Sequence, residues 1–212
     1  MATDGWLAET RISYDTVAAS YADQVRDALD DKPYLRNALT LFADLVRATG
    51  GGPVADVGCG PGHITAYLRD LGVDAFGVDL SPGMIEVARR EHPGLRFAVG
   101  SMTELPLADA SVAGLLAFWS VIHIPDELIP AVFTHFRRAL RPGGPLLVGF
   151  HVGEGSRLKT EGYGGHPMKV HVHRRRPDQV AERLREAGFT VEATLTLSPY
   201  AEVPGGVVFA RR

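Results

Sequence analysis

The chain has 212 residues, 45% of them hydrophobic and 22% charged, and a formal net charge of −3. That length suits one α/β domain with a sizeable core, and the small acid excess gives no electrostatic push toward nucleic acid or an anionic membrane. Cys59 is the single cysteine, which excludes an internal disulfide and a thiolate metal cluster within the chain.

The opening "MATDGWLAETR" carries acid and no apolar run, and no stretch reaches membrane-spanning length. The expectation is a cytoplasmic protein without a signal peptide or membrane contact. Residues 10–30 have helix-like spacing, and Pro33 can open a second helix that runs to about Thr49, where three glycines stop it. Strand patterns follow at 53–58, 74–80, 95–100, 112–120 and 144–151, alternating with helices near 62–71, 82–91, 126–140 and 177–187. Ser81 before Pro82 is a natural cap and first helical residue. Two last strands, 189–197 and 202–211, are joined by a few residues and should pair antiparallel. Alternation of this kind predicts a layered α/β fold with a mostly parallel sheet.

The stretch "VADVGCGPGH" (54–63) sets Gly58, Gly60 and Gly62 directly after an apolar strand and before a helix. A helix start offers free N–H groups and a positive dipole end, and glycines there let a ligand touch the main chain. Asp79, 19 residues past Gly60 at the tip of the second strand, can accept both hydroxyls of a ribose. Together these features point to an adenosine-containing ligand. The sixth position of the dinucleotide fingerprint is His63 rather than Gly, and Asp56 beside the loop would repel a pyrophosphate while suiting an ammonium group. Both departures weigh against NAD and toward S-adenosylmethionine.

With "VADVGCGPGHIT", "AFGVDLSPGMIEVAR", "RFAVGSMTELPLAD", "GLLAFWSVIHIPDEL", "FRRALRPGGPLLV" and "LREAGF" in this order, the chain resembles the class I S-adenosylmethionine-dependent methyltransferases of small-molecule type. The N-terminal "SYDTVAASYAD" is similar to that family's leading helix. The resemblance implies a Rossmann-like doubly wound seven-stranded sheet, mostly parallel with an antiparallel C-terminal hairpin. It implies one methyltransferase domain over 1–212: an N-terminal helical cap (1–49), a cofactor-binding core (50–150), an acceptor lid (151–176) and a C-terminal helix and hairpin (177–212).

The family's cofactor contacts, carried over by motif, fall on Asp56, Gly58, Cys59 and Gly60 for the methionine moiety, Cys59 mainly by its backbone. Asp79 would hold the ribose, Leu80 would flank the adenine, and Ser101 and Met102 would meet it. Many relatives have Asp at position 101; Ser101 is a weaker, neutral acceptor. Phe118, Trp119 and Ser120 would lie beside the sulfonium. Tyr14 and Tyr21, seven apart on one helix face, would close over the cofactor.

Residues 151–176 hold five glycines and four histidines and begin beyond a strand's carboxyl end, where ligands bind in open α/β sheets. The segment is expected to be a lid over the methyl acceptor. In "MKVHVHR" His171 and His173 face one side, but the expectation is a solvated or lid face with no metal, and "RRR" at 174–176 reads as charged surface. His151 and His123 follow the fifth and fourth strands and are the candidate general bases, His151 first. No "DPPY"-like run follows the fourth strand, which lowers the odds of a nucleobase or glutamine acceptor. The expected activity is methyl transfer from S-adenosylmethionine to a small-molecule acceptor, by a monomer or homodimer. The alternatives are an NAD-linked oxidoreductase and a non-catalytic adenosine-ligand binder.

Overall fold

The computed structural model describes residues 5–199 and 201–212. Two helices come first, α1 (Gly5–Val25) and α2 (Pro33–Ala48). The alternating core then runs β1 (Val54–Val57), α3 (His63–Asp70), β2 (Ala75–Asp79), α4 (Pro82–Glu91), β3 (Arg96–Val99), β4 (Gly114–Phe118), α5 (Ile129–Ala139) and β5 (Pro145–Val152). It is followed by β6 (Ser156–Glu161), β7 (Pro167–Arg175), α6 (Pro177–Glu186), β8 (Thr190–Leu197) and β9 (Gly205–Arg211).

β3, β2, β1, β4 and β5 lie side by side in that order, all parallel. β1 is buried at every residue, as a central strand covered on both faces must be. β9 runs antiparallel between β5 and β8, as the short connection requires. Helices cover both faces, over one core holding Phe133, Phe136 and Phe150 and another holding Leu39, Phe42 and Phe209. Among the described residues no helix is long and apolar enough to cross a membrane.

Ser81 caps α4 as expected: its Oγ accepts from Met84 N at 3.0 Å. The hydroxyl also donates to Asp15 on α1 at 2.6 Å, and the same carboxylate oxygen accepts from Gly83 N at 2.8 Å. The first helix is thereby tied to the start of α4, with a carboxylate at the positive end of that helix.

Two expectations change. α1 spans Gly5–Val25 rather than 10–30, and residues after Val25 form a run of turns that close on carbonyls three positions back. Asp27, Asp30 and Asp31 crowd what would be a helix C-terminus, where the dipole disfavours acid and Asp side chains compete for the backbone. Besides the seven expected strands, the 151–176 segment folds into the antiparallel hairpin β6–β7. β5 outruns β4, and its last residues, His151 and Val152, pair with Arg174 and Arg175 of β7. The hairpin thus stands above the carboxyl end of β4.

Candidate active site

The glycine loop leaves β1 with Gly58 at φ +78°, a left-handed conformation that disfavours any side chain. A Cβ there would also lie 2.2 Å from Ser120 Cβ. Ser120 is held against the loop by its Oγ, which donates to Val57 O at 2.7 Å. Gly58 therefore serves the packing of the loop on the end of β4 as well as close approach by a ligand. Asp79 fixes the next turn: one carboxylate oxygen accepts from Gly60 N and the other from Ser81 N, each at 2.8 Å. Those bonds use two of the roughly four acceptor positions of a carboxylate. Cys59 turns its thiol inward toward Gly77 and is 3% exposed, so only its backbone faces the loop's ligand side.

Asp56 is 1% exposed and accepts from Thr65 Oγ1 at 2.6 Å. Burial pushes its carboxyl up to about 7, with the nearby Asp79 charge adding to the rise against the Thr65 hydrogen bond. At neutral pH a cationic ligand would find this group poised to release its proton. Ser101 caps the turn at 102–104 through Thr103 N (3.2 Å) and lies 2.7 Å from Thr103 Oγ1. An Asp at 101 can make the same cap. Ser101→Asp should therefore keep the fold and bind S-adenosylmethionine equally or more tightly in calorimetry. A large loss of affinity with an unchanged melting temperature would mean that the adenine lies elsewhere or that Ser101 is packed too tightly for a carboxylate.

Trp119 follows β4 in the left-handed region, at φ 55°, an unusual conformation for a bulky residue. Its ring lies over Gly149 of β5 and Gly205 of β9; a Cβ at either would come within 2.7 or 3.0 Å of it. Its indole N–H donates to His151 Nδ1 at 3.3 Å. That bond leaves the proton of neutral His151 on Nε2, and burial with Arg174 nearby lowers the imidazole's affinity for a second proton. His123 is held on both nitrogens: Nε2 accepts from the Tyr14 hydroxyl at 2.6 Å, and Nδ1 donates to His171 O at 2.9 Å. Burial brings His123 down to about 4. Both candidate bases therefore line the cavity with ring nitrogens already partnered, His123 at both and His151 at Nδ1. His151 presents an N–H, and His123 reaches a ligand only through Tyr14.

The hairpin is pinned to α1 rather than loose. Met168 and Val170 pack on Val17 and Ala18, Lys169 N donates to Ser13 Oγ at 2.9 Å, and Ser20 Oγ donates to Tyr163 O at 2.8 Å. The reading of "RRR" as surface fails at Arg175, which is 4% exposed. Its guanidinium donates to Asp126 (2.8 Å), Val121 O (3.0 Å) and Ile124 O, stapling β7 to the loop after β4. His171 and His173 stand side by side, 6.2 Å between ring centroids. Among the described residues no three His, Cys, Asp or Glu side chains converge as a metal site.

Every residue expected at the site lines one cavity of about 770 Å³ over the carboxyl ends of the parallel strands. Its volume suits a nucleoside-sized ligand with a small second molecule. Sequence reasoning missed Trp6 and Thr10, and also two connections that line the cavity, one within residues 28–35 and one through Leu197, Ser198, Ala201, Val203 and Gly205; Tyr163 lies in the segment expected as a lid. The pair Gly205–Gly206, inside a strand pattern, is a signal that could have pointed to the second of these connections.

A doubly wound sheet with a glycine turn after its first strand and a carboxylate at the tip of its second defines a nucleoside-binding α/β protein. Residues 54–144 match a family described as Methyltransferase domain. The chain is 31% identical over 140 residues to a demethylmenaquinone methyltransferase of Renibacterium salmoninarum, covering 66% of this chain and 57% of that one. It is 34% identical over 144 residues to a malonyl-[acyl-carrier protein] O-methyltransferase of Yersinia pestis, covering 68% of this chain and 53% of that one. It therefore spans little more than half the length of these two relatives. The crystal structure of Burkholderia thailandensis 1,6-didemethyltoxoflavin-N1-methyltransferase, with bound 1,6-didemethyltoxoflavin and S-adenosylhomocysteine, superposes with a TM-score of 0.71 at 25% identity, covering 100% of this chain and 91% of that one. Residues 54–144 thus form a methyltransferase domain, and the chain is similar to S-adenosylmethionine-dependent methyltransferases.

Proposed function

We propose that this chain transfers a methyl group from S-adenosylmethionine to a small-molecule acceptor. The observation that carries the reading is the single cavity in which the glycine loop, the buried Asp56 and the Asp79 carboxylate meet an aromatic wall from β4, β5 and α1. Bound there, the cofactor would supply an electrophilic methyl on a sulfonium. Asp79 would accept from the ribose with its remaining lone pairs, Leu80, Ser101 and Met102 would hold the adenine, and the backbone at Gly58, Cys59 and Gly60 would face the methionine end. Phe118, Trp119 and Ser120 would border the reacting centre, and Tyr14 and Tyr21, 6.1 Å between centroids, would cover it. Catalysis would rest mainly on holding acceptor and methyl in line.

Asp56 would accept the ligand's ammonium group, and it must be ionised to do so. Below pH 7 it is increasingly protonated, while His63 and His123, both lowered to about 4, stay neutral throughout this range. Affinity for S-adenosylmethionine should therefore rise roughly five- to tenfold from pH 6 to 7.5, then fall above pH 8 as the ligand's own α-amino group deprotonates. Asp56→Asn should bind weakly and lose the acidic limb. A flat profile in the wild-type protein, measured by calorimetry, would remove the ammonium assignment.

Where the acceptor carries a proton, Tyr14 Oη would take it as the hydroxyl proton passes to His123 Nε2, and His171 O, already accepting from Nδ1–H, would steady the imidazolium. Tyr14 itself stays protonated at rest, because burial and the neighbouring Tyr21 push its hydroxyl well up. Tyr14→Phe should lower the turnover rate by about 10²-fold while changing cofactor affinity little. An unaltered rate with the true acceptor would leave positioning as the sole source of rate.

A further inference from the structure

The cavity has two chemically different halves. Over β1, β2 and the glycine loop it holds the carboxylates of Asp56 and Asp79. Asp31 and Lys32 lie on the α1–α2 connection, where Lys32 is close enough to His63 to lower its pKa. Over β4, β5 and β9 the walls carry no charged side chain among the described residues. Trp6, Ile122, Ile124, Leu197 and Val203 are apolar, and both histidines there are neutral. Two cations stand outside these walls: Arg174 is opposite His151 in the β5–β7 ladder and near enough to lower its pKa, and the Lys159 ammonium sits 3.8 Å above the Tyr163 ring; neither lines the cavity.

This half also has a rigid flat side. Trp119 is seated on Gly149 and Gly205, its N–H is tied to His151, and Phe118 packs edge-on against it at 4.7 Å. A charged acceptor group entering here would lose its hydration with no opposite charge to meet it, whereas a planar apolar body would gain stacking and area burial. The polar side chains on these walls are neutral: His151 with its Nε2–H, the Tyr14 hydroxyl, Ser198, and the hydroxyls of Thr10 and Ser120, which donate to Trp6 O and Val57 O.

We propose that the methyl acceptor is a neutral, flat aromatic or heteroaromatic molecule, lying along Trp119 with one polar atom accepting from His151 Nε2–H. The proposal rests on the methyltransferase reading and assigns the substrate class of that site. It excludes acceptors whose recognised end is a phosphate, a carboxylate or an ammonium group.

The test uses the protein saturated with S-adenosylhomocysteine, titrated calorimetrically with three probes on one bicyclic skeleton: naphthol, naphthoate and naphthylmethylammonium. The neutral probe should bind at least about tenfold tighter than either ion, a difference of about 1.4 kcal/mol. Val203→Arg adds a cation on the wall's outer connection and should shift the ratio toward naphthoate by roughly fivefold. Equal or tighter binding of either charged probe to the unaltered protein overturns the proposal, as does no binding of the neutral one at millimolar concentration. Failure to bind S-adenosylhomocysteine at all would instead sink the methyltransferase reading, and this assignment with it.

Discussion

Asp79→Ala is expected to weaken S-adenosylmethionine binding by at least about 2 kcal/mol, close to thirtyfold, the scale of lost charge-assisted hydrogen bonds. The carboxylate has two tasks. Its free lone pairs would accept from the ribose in the proposed reading, and its two oxygens already hold Gly60 N and Ser81 N. Removing it would leave both backbone donors without their side-chain acceptor and free the glycine turn, so the loss should exceed that of the ribose bonds alone. Asp79→Asn keeps one acceptor oxygen and should recover part of the loop order but little of the affinity. Calorimetry on both variants, with melting temperatures of the empty proteins, separates the two tasks. Full affinity in a folded Asp79→Ala protein would remove the ribose assignment.

Gly58→Ala should be the most damaging single methyl in the chain. The alanine must adopt φ near +78°, and its Cβ would fall 2.2 Å from Ser120 Cβ, so either the loop or the end of β4 must move. Left-handed strain together with overpacking amounts to about 2–4 kcal/mol of stability. Cofactor affinity should fall with it, because Gly58 N and Cys59 N are both anchored on Val78 O beside Asp79. Ser120→Gly removes the colliding atom, so the double variant should regain the packing part of the loss and keep the backbone part. Denaturant unfolding of the four proteins measures that coupling. Additive losses would show that Ser120 is not what makes a side chain at position 58 intolerable.

These two positions were legible in the sequence because their signals are local. A strand running into spaced glycines, and an acid at the next strand's tip, need only the βαβ pattern to be read. Ser81 before Pro82 announced the cap that α4 uses, and the short link between the last two strands fixed their antiparallel pairing. α1 was harder. Its buried side is built from Thr10, Ser13, Val17, Ala18 and Ala22, small and partly polar residues whose pattern does not mark a helix face.

The histidines show the limit most clearly. Tyr14 and His123 are 109 residues apart, and Trp119 and His151 are 32 apart. The sequence can nominate the imidazoles but not the partner that decides which nitrogen carries the proton. Arg175 is similar: a run of three arginines reads as surface until the loop after β4 supplies two carbonyls and Asp126 to one of them. The hairpin β6–β7 was half visible, since only its second strand alternates.

The central claim is that this fold holds S-adenosylmethionine, and calorimetric titration with S-adenosylmethionine, S-adenosylhomocysteine and NAD at pH 7.5 tests it most directly. The account predicts saturable one-to-one binding of the first two and none of NAD, with uptake of S-adenosylmethionine releasing protons from Asp56 to the buffer. Binding of NAD with no response to either adenosyl ligand would contradict it.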